Sequence, residues 1–195
     1  REYEGAFSTY GLSTRRSLGR IDESKVCYEL IEVLLSKLLL RDKNVEHEMF
    51  PMADSSSVFE DPSCETGSIL VFLPGVNEIK MLHNRLVSSR SFSLRSSPFD
   101  VIPLHSKLNQ AEQRLPFLKT PGRRKVILST NIAETSVTIS DCVCVIDTGS
   151  VREIRVNRRS GGEMLVSTFT SRASAKQRAG RAGRIRPGIC LKLFS

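Results

Sequence analysis

The chain has 195 residues, of which 39% are hydrophobic and 26% charged, and its 29 Lys and Arg outnumber its 21 Asp and Glu to give a formal net charge of +8. This length and apolar content suit one globular domain and exclude a wholly disordered chain. No apolar run reaches the roughly 18 residues of a membrane span, because Glu29, Glu32 and Lys37 interrupt the best candidate, so we expect a soluble protein with no membrane partner.

The cysteines follow neither the spacing of a disulfide framework nor that of a zinc site. The chain contains five, an odd number, at Cys27, Cys64, Cys142, Cys144 and Cys190. We expect reduced thiols in an intracellular protein, nuclear or cytoplasmic, and no bound metal. The N-terminus begins at Arg1 and has neither a Met nor an apolar signal core, which indicates a piece of a longer protein.

The first third of the sequence predicts one regular element. Residues 1–23 are a polar lead-in without sustained periodicity. Apolar side chains then recur at helical spacing from Cys27 to Leu38, with Asp22 or Ser24 available as the N-cap. Residues 41–66 are rich in Asp, Glu, Ser and Pro, and we expect a flexible insertion there. We assign residues 1–66 to the same domain as the residues that follow.

From Gly67 onward, short apolar runs alternate with helical patterns. The predicted strands are 68–73, 101–104, 125–128 and 142–146, with an amphipathic helix after the first and a polar helix near 109–118 after the second. Strands that are apolar at consecutive positions are buried on both faces, as in a parallel sheet covered by helices. We therefore predict a three-layer α/β domain with a mostly parallel sheet over residues 67–195.

The last quarter of the chain combines a hairpin signal with most of the positive charge. Predicted strands at 152–156 and 164–169 flank turn-forming residues 157–162, which indicates an inserted β-hairpin, and a helix near 171–178 and a strand at 189–194 follow. Between Val151 and Ser195, eleven residues are basic and two are acidic. Such a concentration is typical of a surface that meets phosphates, with a solvated basic face as the plainer alternative.

Arginines recur every three residues in the stretch QRAGRAGR, from Gln177 to Arg184. The intervening Gly180 and Gly183 allow tight turns that leave the guanidiniums free to converge. A planar, permanently charged guanidinium suits the charge spread over a transferring γ-phosphate. This stretch resembles motif VI of the superfamily 2 helicases, and its leading Gln177 is typical of the DEAH/RHA branch.

A second segment, STNIAETSVTI at residues 129–139, directly follows a predicted strand. Its hydroxyls and amide are expected at the carboxyl end of a parallel sheet, where α/β folds bind their ligands. The segment is similar to motif V of DEAH/RHA helicases, and residues 70–75 with Glu78, residues 103–106 and residues 145–149 resemble further family segments in family order. Residues 67–195 thus resemble the second RecA-like domain of an ATP-dependent RNA helicase.

The resemblance implies which residues meet the nucleotide. Gln177, Arg181 and Arg184 are expected to face the β- and γ-phosphates, with the two arginines as arginine fingers. Phe117 is expected to stack on the base, and the remaining nucleotide-site residues are Ser136, which reports the nucleotide state, Thr138, near the ribose, and Asp141. The family often carries Asp two residues after the motif V threonine, where this chain has Ser140 followed by Asp141.

The resemblance also implies contacts with the RNA backbone, at Gly75, His105, Ser106, Thr130 and Asn131. The hairpin resembles one that the family inserts near the 5′ side of the nucleic-acid channel, with a role in separating strands or limiting backward slipping. Plainer alternatives stay open for three residues. Phe117 by itself would be a core residue, His105 a surface histidine, and Arg178 a structural or acid-pairing residue.

Two motifs that a complete motor requires are missing from the chain. It contains no G-x-x-x-x-G-K-[ST] sequence, and the run from Asp22 to Lys25, superficially like a DExH box, follows no apolar strand and lacks the His. The expected cofactors, ATP or another NTP with Mg²⁺, would therefore be bound jointly with a first RecA-like domain. We predict that residues 1–195 alone hydrolyse no ATP and bind nucleotide and RNA poorly.

The expected function is that of a second motor domain, which supplies arginine fingers for ATP hydrolysis and RNA-backbone contacts for 3′-to-5′ translocation and unwinding. Its expected partners are single-stranded RNA, the first RecA-like and C-terminal domains of the same protein, and an activating protein. Two alternatives are a DNA helicase of the same superfamily and a non-catalytic RNA-binding scaffold with a degenerate motor. Only RNA offers a 2′-OH, so stimulation by RNA and by DNA would distinguish the two helicases.

Overall fold

A computed structural model of the chain describes residues 22–40, 67–89, 92, 99–118, 122–157, 161–185 and 187–194, together with residues 11, 13 and 16. The predicted insertion at 41–66 and most of the predicted lead-in lie outside the described residues. The predicted strands and helices fall within them.

A parallel sheet forms the centre of the domain. In the described part of the chain the strands are β1 (Ser68–Phe72), β2 (Phe99–Leu104), β3 (Arg124–Ser129), β4 (Cys142–Asp147), β5 (Ser150–Val156), β6 (Glu163–Phe169) and β7 (Ile189–Lys192). Five of them form the sheet in the order β2-β3-β1-β4-β7, with every neighbouring pair parallel. β5 and β6 pair separately as an antiparallel hairpin. The predicted RecA-like α/β fold with an inserted hairpin is confirmed.

The helices are α1 (Tyr28–Leu40), α2 (Val76–Ser88), α3 (Gln110–Arg114), α4 (Ile132–Thr135) and α5 (Arg172–Ala179), and a 3₁₀ turn spans Leu115–Phe117. Asn109 caps α3 through a capping box with Glu112, and the Ser171 side chain caps α5. The polar helix predicted near 109–118 ends earlier as an α-helix. Pro116 lacks a backbone N–H, and the chain tightens into the 3₁₀ turn around it.

The core lies on both faces of the sheet, because successive side chains of a strand point to opposite sides. On one face, Ile69, Val71 and Leu128 pack with residues of α1 and α2 such as Ile31 and Leu82. On the other, the side chains in contact are Leu70, Phe72, Ile127, Ala133, Ile139 and Val145. Every residue of β1 and β4 is buried, so each large apolar side chain contributes about 1.5–3 kcal/mol to the hydrophobic stabilisation.

β2 lies at the edge of the sheet and contains Pro103, which is in register with Leu128 of β3. Among the described strands β2 pairs with β3 alone, and the missing N–H of Pro103 faces away from β3, where a strand tolerates proline.

Cys142 and Cys144 are buried in β4, and Cys27 is exposed; none of the described cysteines forms a disulfide. Burial raises the pKa of Cys142 to about 12 and raises that of Cys144 as well. Cys64 lies outside the described residues. Within the described ranges we find no helix long and apolar enough to cross a membrane and no group of three or more side chains suited to hold a metal ion.

Candidate functional site

The residues predicted to contact RNA lie together at the carboxyl end of the sheet. Gly75 follows β1, His105 and Ser106 follow β2, and Thr130 and Asn131 follow β3. Backbone hydrogen bonds join these loops, since the Thr130 amide donates to the Leu104 carbonyl at 3.3 Å and the Leu73 amide donates to the Ser129 carbonyl at 2.8 Å. Three loops of one parallel sheet therefore form a continuous surface.

The loop after β1 is tied to the hairpin. Gly75 is the N-cap of α2, and a Cβ on it would lie 2.9 Å from Oε2 of Glu78 and 3.1 Å from Cδ of Arg152. The Arg152 guanidinium donates to Oε1 of Glu78 at 2.7 Å. A side chain at position 75 would therefore push against this ion pair, and glycine keeps the base of the hairpin next to the loop.

His105 is buried, with 7% of its surface exposed, so the surface-histidine alternative is wrong. Burial lowers the pKa of the imidazole, and the nearby Lys80 and Lys107 lower it further against the opposing effect of Glu112. Its Nδ1 is buried and has no hydrogen-bond partner among the described residues. A neutral imidazole with an unpaired nitrogen thus lies directly beside the exposed Ser106.

The motif V segment runs from one end of the sheet to the other. It leaves β3 at Thr130, forms α4, and reaches Asp141 immediately before β4 begins at Cys142. Since β3 and β4 are both parallel to β1, Thr130 lies at the carboxyl end and Asp141 at the amino end. Thr130 and Asn131, predicted to contact RNA, are therefore at the opposite end of the sheet from Asp141, predicted to contact the nucleotide. Ser136 and Thr138, between them, are exposed.

Arg178 is a buried structural residue. Its Nη1 donates to Oδ1 of Asp147 at 2.8 Å and its Nε to Oε2 of Glu134 at 3.1 Å. The guanidinium also lies over the Phe72 ring, 4.9 Å from its centroid. The acid-pairing alternative therefore holds for Arg178, which connects α5, α4 and β4.

Arg181 and Arg184 converge on the middle of the motif V segment. Arg181 Nη1 donates to the Val137 carbonyl at 3.5 Å, and Arg184 Nη1 donates to Oγ1 of Thr138 at 3.3 Å. Burial lowers the pKa of Arg181, with the positive charge of Arg184 as the next cause. Arg181 Nε is buried and has no hydrogen-bond partner in the described part of the chain. The two guanidiniums thus lie beside one segment, a donor arrangement that suits a multiply charged anion such as a phosphate chain.

Gln177 is exposed on α5, in the turn before Arg181. Phe117 is 49% exposed on the 3₁₀ turn, so the alternative that it is a core residue is wrong.

The Asp141 carboxylate, in contrast, is paired with groups of the domain. Its Oδ2 lies 3.0 Å from the Lys125 ammonium, and its Oδ1 accepts a hydrogen bond from the Ser68 hydroxyl at 3.1 Å.

Sequence reasoning missed the contributions of Glu134, Asp147 and Lys125. Each is a charged residue inside or at the end of a buried stretch, since Lys125 opens the apolar run of β3 and Asp147 closes that of β4. A charge in such a run requires a partner. That signal was present in the sequence and indicates a buried ion pair, although it does not identify the partner.

Known proteins are similar to this chain in sequence and in fold. Residues 62–186 match the model of the helicase conserved C-terminal domain. The chain is 50% identical over 136 residues, 69% of its length, to the chloroplastic DExH-box ATP-dependent RNA helicase DExH4 of Arabidopsis thaliana, and 38% identical over 187 residues, 95% of its length, to the ATP-dependent DNA/RNA helicase DHX36 of Mus musculus. It spans 10% and 16% of the lengths of these two proteins.

Among solved structures, the E. coli DExH-box NTPase HrpB superimposes with a TM-score of 0.65 and 33% sequence identity, over 88% of this chain and 18% of HrpB. Sequence, fold and the order of the motifs thus lead to one assignment. The chain belongs to the helicase conserved C-terminal domain family and is a RecA-like domain of the DExH/DEAH-box type.

Proposed function

We propose that this domain is the second motor domain of an ATP-dependent RNA helicase and that it supplies arginine fingers to ATP hydrolysis. The observation that carries the proposal is the convergence of Arg181 and Arg184 on the adjacent residues Val137 and Thr138, with Arg181 Nε left without a hydrogen-bond partner among the described residues. The whole enzyme also needs a first RecA-like domain, which this chain does not resemble.

The chemistry of the donors fits a triphosphate. Arg181 and Arg184 face the β- and γ-phosphates together with Gln177, and the two guanidiniums stabilise the negative charge that develops during phosphoryl transfer. Arg181 is partly desolvated, which strengthens its attraction for an anion. Thr138 lies near the ribose, Ser136 reports the nucleotide state, and Phe117 presents an exposed ring to the base.

The proposed nucleotide would bring Mg²⁺ with it. The described residues contain no group of three or more side chains suited to a metal ion. By the resemblance, Mg²⁺ would be held by the first RecA-like domain and the nucleotide phosphates, and Arg181 and Arg184 would supply positive charge to the phosphates from this domain. Nucleotide binding then requires both domains.

The carboxyl end of the sheet holds the RNA. Ser106 and Asn131 are exposed there, and the hydroxyl of Thr130 and the buried imidazole of His105 lie beside them. Hydroxyl, amide and backbone groups hydrogen-bond to phosphate and sugar oxygens and carry no sequence information directly. The proposed enzyme therefore moves along RNA with weak sequence preference, inside the cell and with an activating protein as a further partner.

DNA is a second candidate substrate, because the mouse relative DHX36 is named a DNA/RNA helicase. The proposal is tested with the purified full-length protein, by measuring ATP hydrolysis with and without single-stranded RNA or DNA of the same sequence. Arg184→Ala is compared with Arg85→Ala, which removes an arginine that pairs with Glu29 and Glu32 on α1 instead.

We expect RNA to stimulate hydrolysis, Arg184→Ala to abolish most of it, and Arg85→Ala to leave it near the wild-type rate. Equal stimulation by DNA would add DNA to the substrates. If the wild-type protein shows no turnover with either nucleic acid, the motor proposal fails, and a non-catalytic RNA-binding scaffold takes its place.

A further inference from the structure

Lys125 is a buried cation in the middle layer of the domain. It is the second residue of β3, and its side chain is 6% exposed. A buried ammonium is costly unless polar groups satisfy it. The Lys125 Nζ has two partners, the Asp141 carboxylate at 3.0 Å and the Pro116 carbonyl at 2.7 Å. Both lie at the amino end of the sheet.

The second partner connects Lys125 to the proposed base-stacking residue. Pro116 is buried at the centre of the 3₁₀ turn, and Phe117 comes directly after the carbonyl that Lys125 holds. The flanking Leu115 and Leu118 are exposed, and the turn is closed by the hydrogen bond from the Leu118 amide to the Leu115 carbonyl at 3.1 Å. A 3₁₀ turn of three residues has weak internal hydrogen bonds, so its orientation depends on anchors from outside.

Asp141 completes the anchor. Its two carboxylate oxygens are divided between the Lys125 ammonium and the Ser68 hydroxyl, which fixes the carboxylate to β1 and β3 at once. This leaves it as the counter-ion of Lys125. The chain Ser68, Asp141, Lys125, Pro116 thus runs from the first residue of β1 to the turn that carries Phe117.

We infer that Lys125, with Asp141 as its counter-ion, is a positioning residue that sets the Phe117 ring against the base of the bound nucleoside triphosphate. The inference rests on the proposed function, in which Phe117 stacks on the base. In this inference Asp141 does not contact the nucleotide directly and acts on it through Lys125 and Phe117. A displaced ring weakens binding of the substrate and of the transition state equally, so the effect falls on KM and spares kcat.

The test uses the full-length protein and its RNA-stimulated ATP hydrolysis. Lys125→Met removes the ammonium and keeps the length of the side chain, and Phe117→Ala removes the ring. Lys37→Met, at an exposed position of α1, is the matched control. We expect Lys125→Met to raise KM for ATP roughly fivefold, which is about 1 kcal/mol, the lower end of the stacking energy of one base. We expect kcat to stay within about twofold of wild type.

Two further measurements separate positioning from a general structural effect. In the Phe117→Ala protein, adding Lys125→Met should raise KM no further, because both changes remove the same interaction. Inhibition by inorganic tripolyphosphate, which has no base, should be unchanged by Lys125→Met. An equal rise of KM in both backgrounds, or weaker inhibition by tripolyphosphate, would overturn the inference.

Asp141→Ala provides a second route if Lys125→Met does not fold. Asp141 is partly exposed, and its removal frees Lys125 from one of its two partners. KM should rise in the protein with Phe117 and stay constant in the Phe117→Ala protein, whereas a direct contact with the nucleotide would raise it in both. If Phe117→Ala alone raises KM and neither Lys125→Met nor Asp141→Ala does, the positioning inference fails while base stacking stands. If Phe117→Ala leaves KM unchanged, base stacking fails and the inference fails with it.

Discussion

Arg178 and Asp147 form an ion pair in the interior of the domain, with the guanidinium 2.8 Å from the carboxylate and side chains that are 1% and 0% exposed. Glu134 lies on the other side of the guanidinium at 3.1 Å. Asp147 Oδ1 also accepts a hydrogen bond from the Gly149 amide at 2.9 Å. One arginine of the QRAGRAGR stretch is therefore used to join α5 to α4 and to the end of β4, and is not free to meet a phosphate.

Removing this arginine should destabilise the fold strongly. We expect Arg178→Met to lower the free energy of unfolding by about 3–5 kcal/mol, because two buried carboxylates lose their counter-ion. Urea denaturation measures the change. The control is Arg155→Met, which breaks an exposed pair with Glu153 and should cost less than about 1 kcal/mol. A loss for Arg178→Met as small as that of the control would contradict this account.

Arg184 should be replaceable by lysine without loss of folding but not without loss of turnover. Lysine keeps the charge and loses the planar, forked donors, so we expect Arg184→Lys in the full-length protein to lower kcat by about 10³-fold. Steady-state kinetics with saturating RNA measure kcat and KM separately. A KM close to the wild-type value would indicate that Arg184 acts in the transition state, and an unchanged kcat would exclude it as an arginine finger.

Asn131 should contribute to RNA affinity without contributing to sequence preference. We expect Asn131→Ala in the full-length protein to weaken the binding of single-stranded RNA about fivefold, the equivalent of roughly one hydrogen bond. The loss should be equal for poly(U) and poly(A). Fluorescence anisotropy measures the affinity at several salt concentrations. The slope of log affinity against log salt concentration should be unchanged, because a neutral side chain releases no counterions. Asn84→Ala, at an exposed position of α2, is the control. A loss confined to one of the two RNAs would indicate a base contact instead.

Gly149 should be intolerant of any side chain. Its φ is +71°, and a Cβ there would overlap the Phe194 ring. Gly122 has a similar φ of +73°, and a Cβ on Gly122 would have nothing within 4 Å. Gly122→Ala therefore reports backbone strain alone. We expect thermal or urea denaturation to show a cost of about 1–2 kcal/mol for Gly122→Ala and about 1–3 kcal/mol more for Gly149→Ala. Equal costs would show that Phe194 moves aside freely.

Stability should fall on acidification in a way that depends on His105. Its folded-state pKa lies below the ordinary value because of burial, with Lys80 and Lys107 acting in the same direction and Glu112 against them. The unfolded chain therefore binds a proton at this site more readily, and stability decreases as the pH falls through about 6.5. We expect His105→Gln to reduce the difference between the urea midpoints measured at pH 7.5 and pH 5.5. If this difference is the same in the wild-type protein and in the variant, His105 is not the source of the pH dependence.

Apolar patterning predicted the strands of the parallel sheet, because consecutive buried residues in β1 and β4 leave few alternatives, and the turn-forming residues at 157–162 predicted the hairpin. The resemblance likewise singled out Arg181 and Arg184, which converge on Val137 and Thr138. The positions of the two ends of the motif V segment follow from the predicted parallel sheet, because Thr130 comes just after one strand and Asp141 directly before the next. The side-chain contacts of Asp141 could not be predicted this way.

The contacts of Lys125 could not be predicted from the sequence either. Its partners Pro116 and Asp141 are separated along the chain and meet only because the turn after α3 folds back against the start of β3. In the sequence, Asp141 is displaced by one position from the family pattern. Only the structure shows that its partner is Lys125.

Pro103 has a consequence for how the protein behaves in a crowded solution. An edge strand with free N–H and C=O groups is a template on which a strand from another molecule can add, and open sheets are prone to association of this kind. Among the described strands β2 is the outermost on its side of the sheet, and a strand arriving there would find one amide donor missing, at Pro103. We therefore expect Pro103 to weaken the addition of a strand from another copy of the chain at β2.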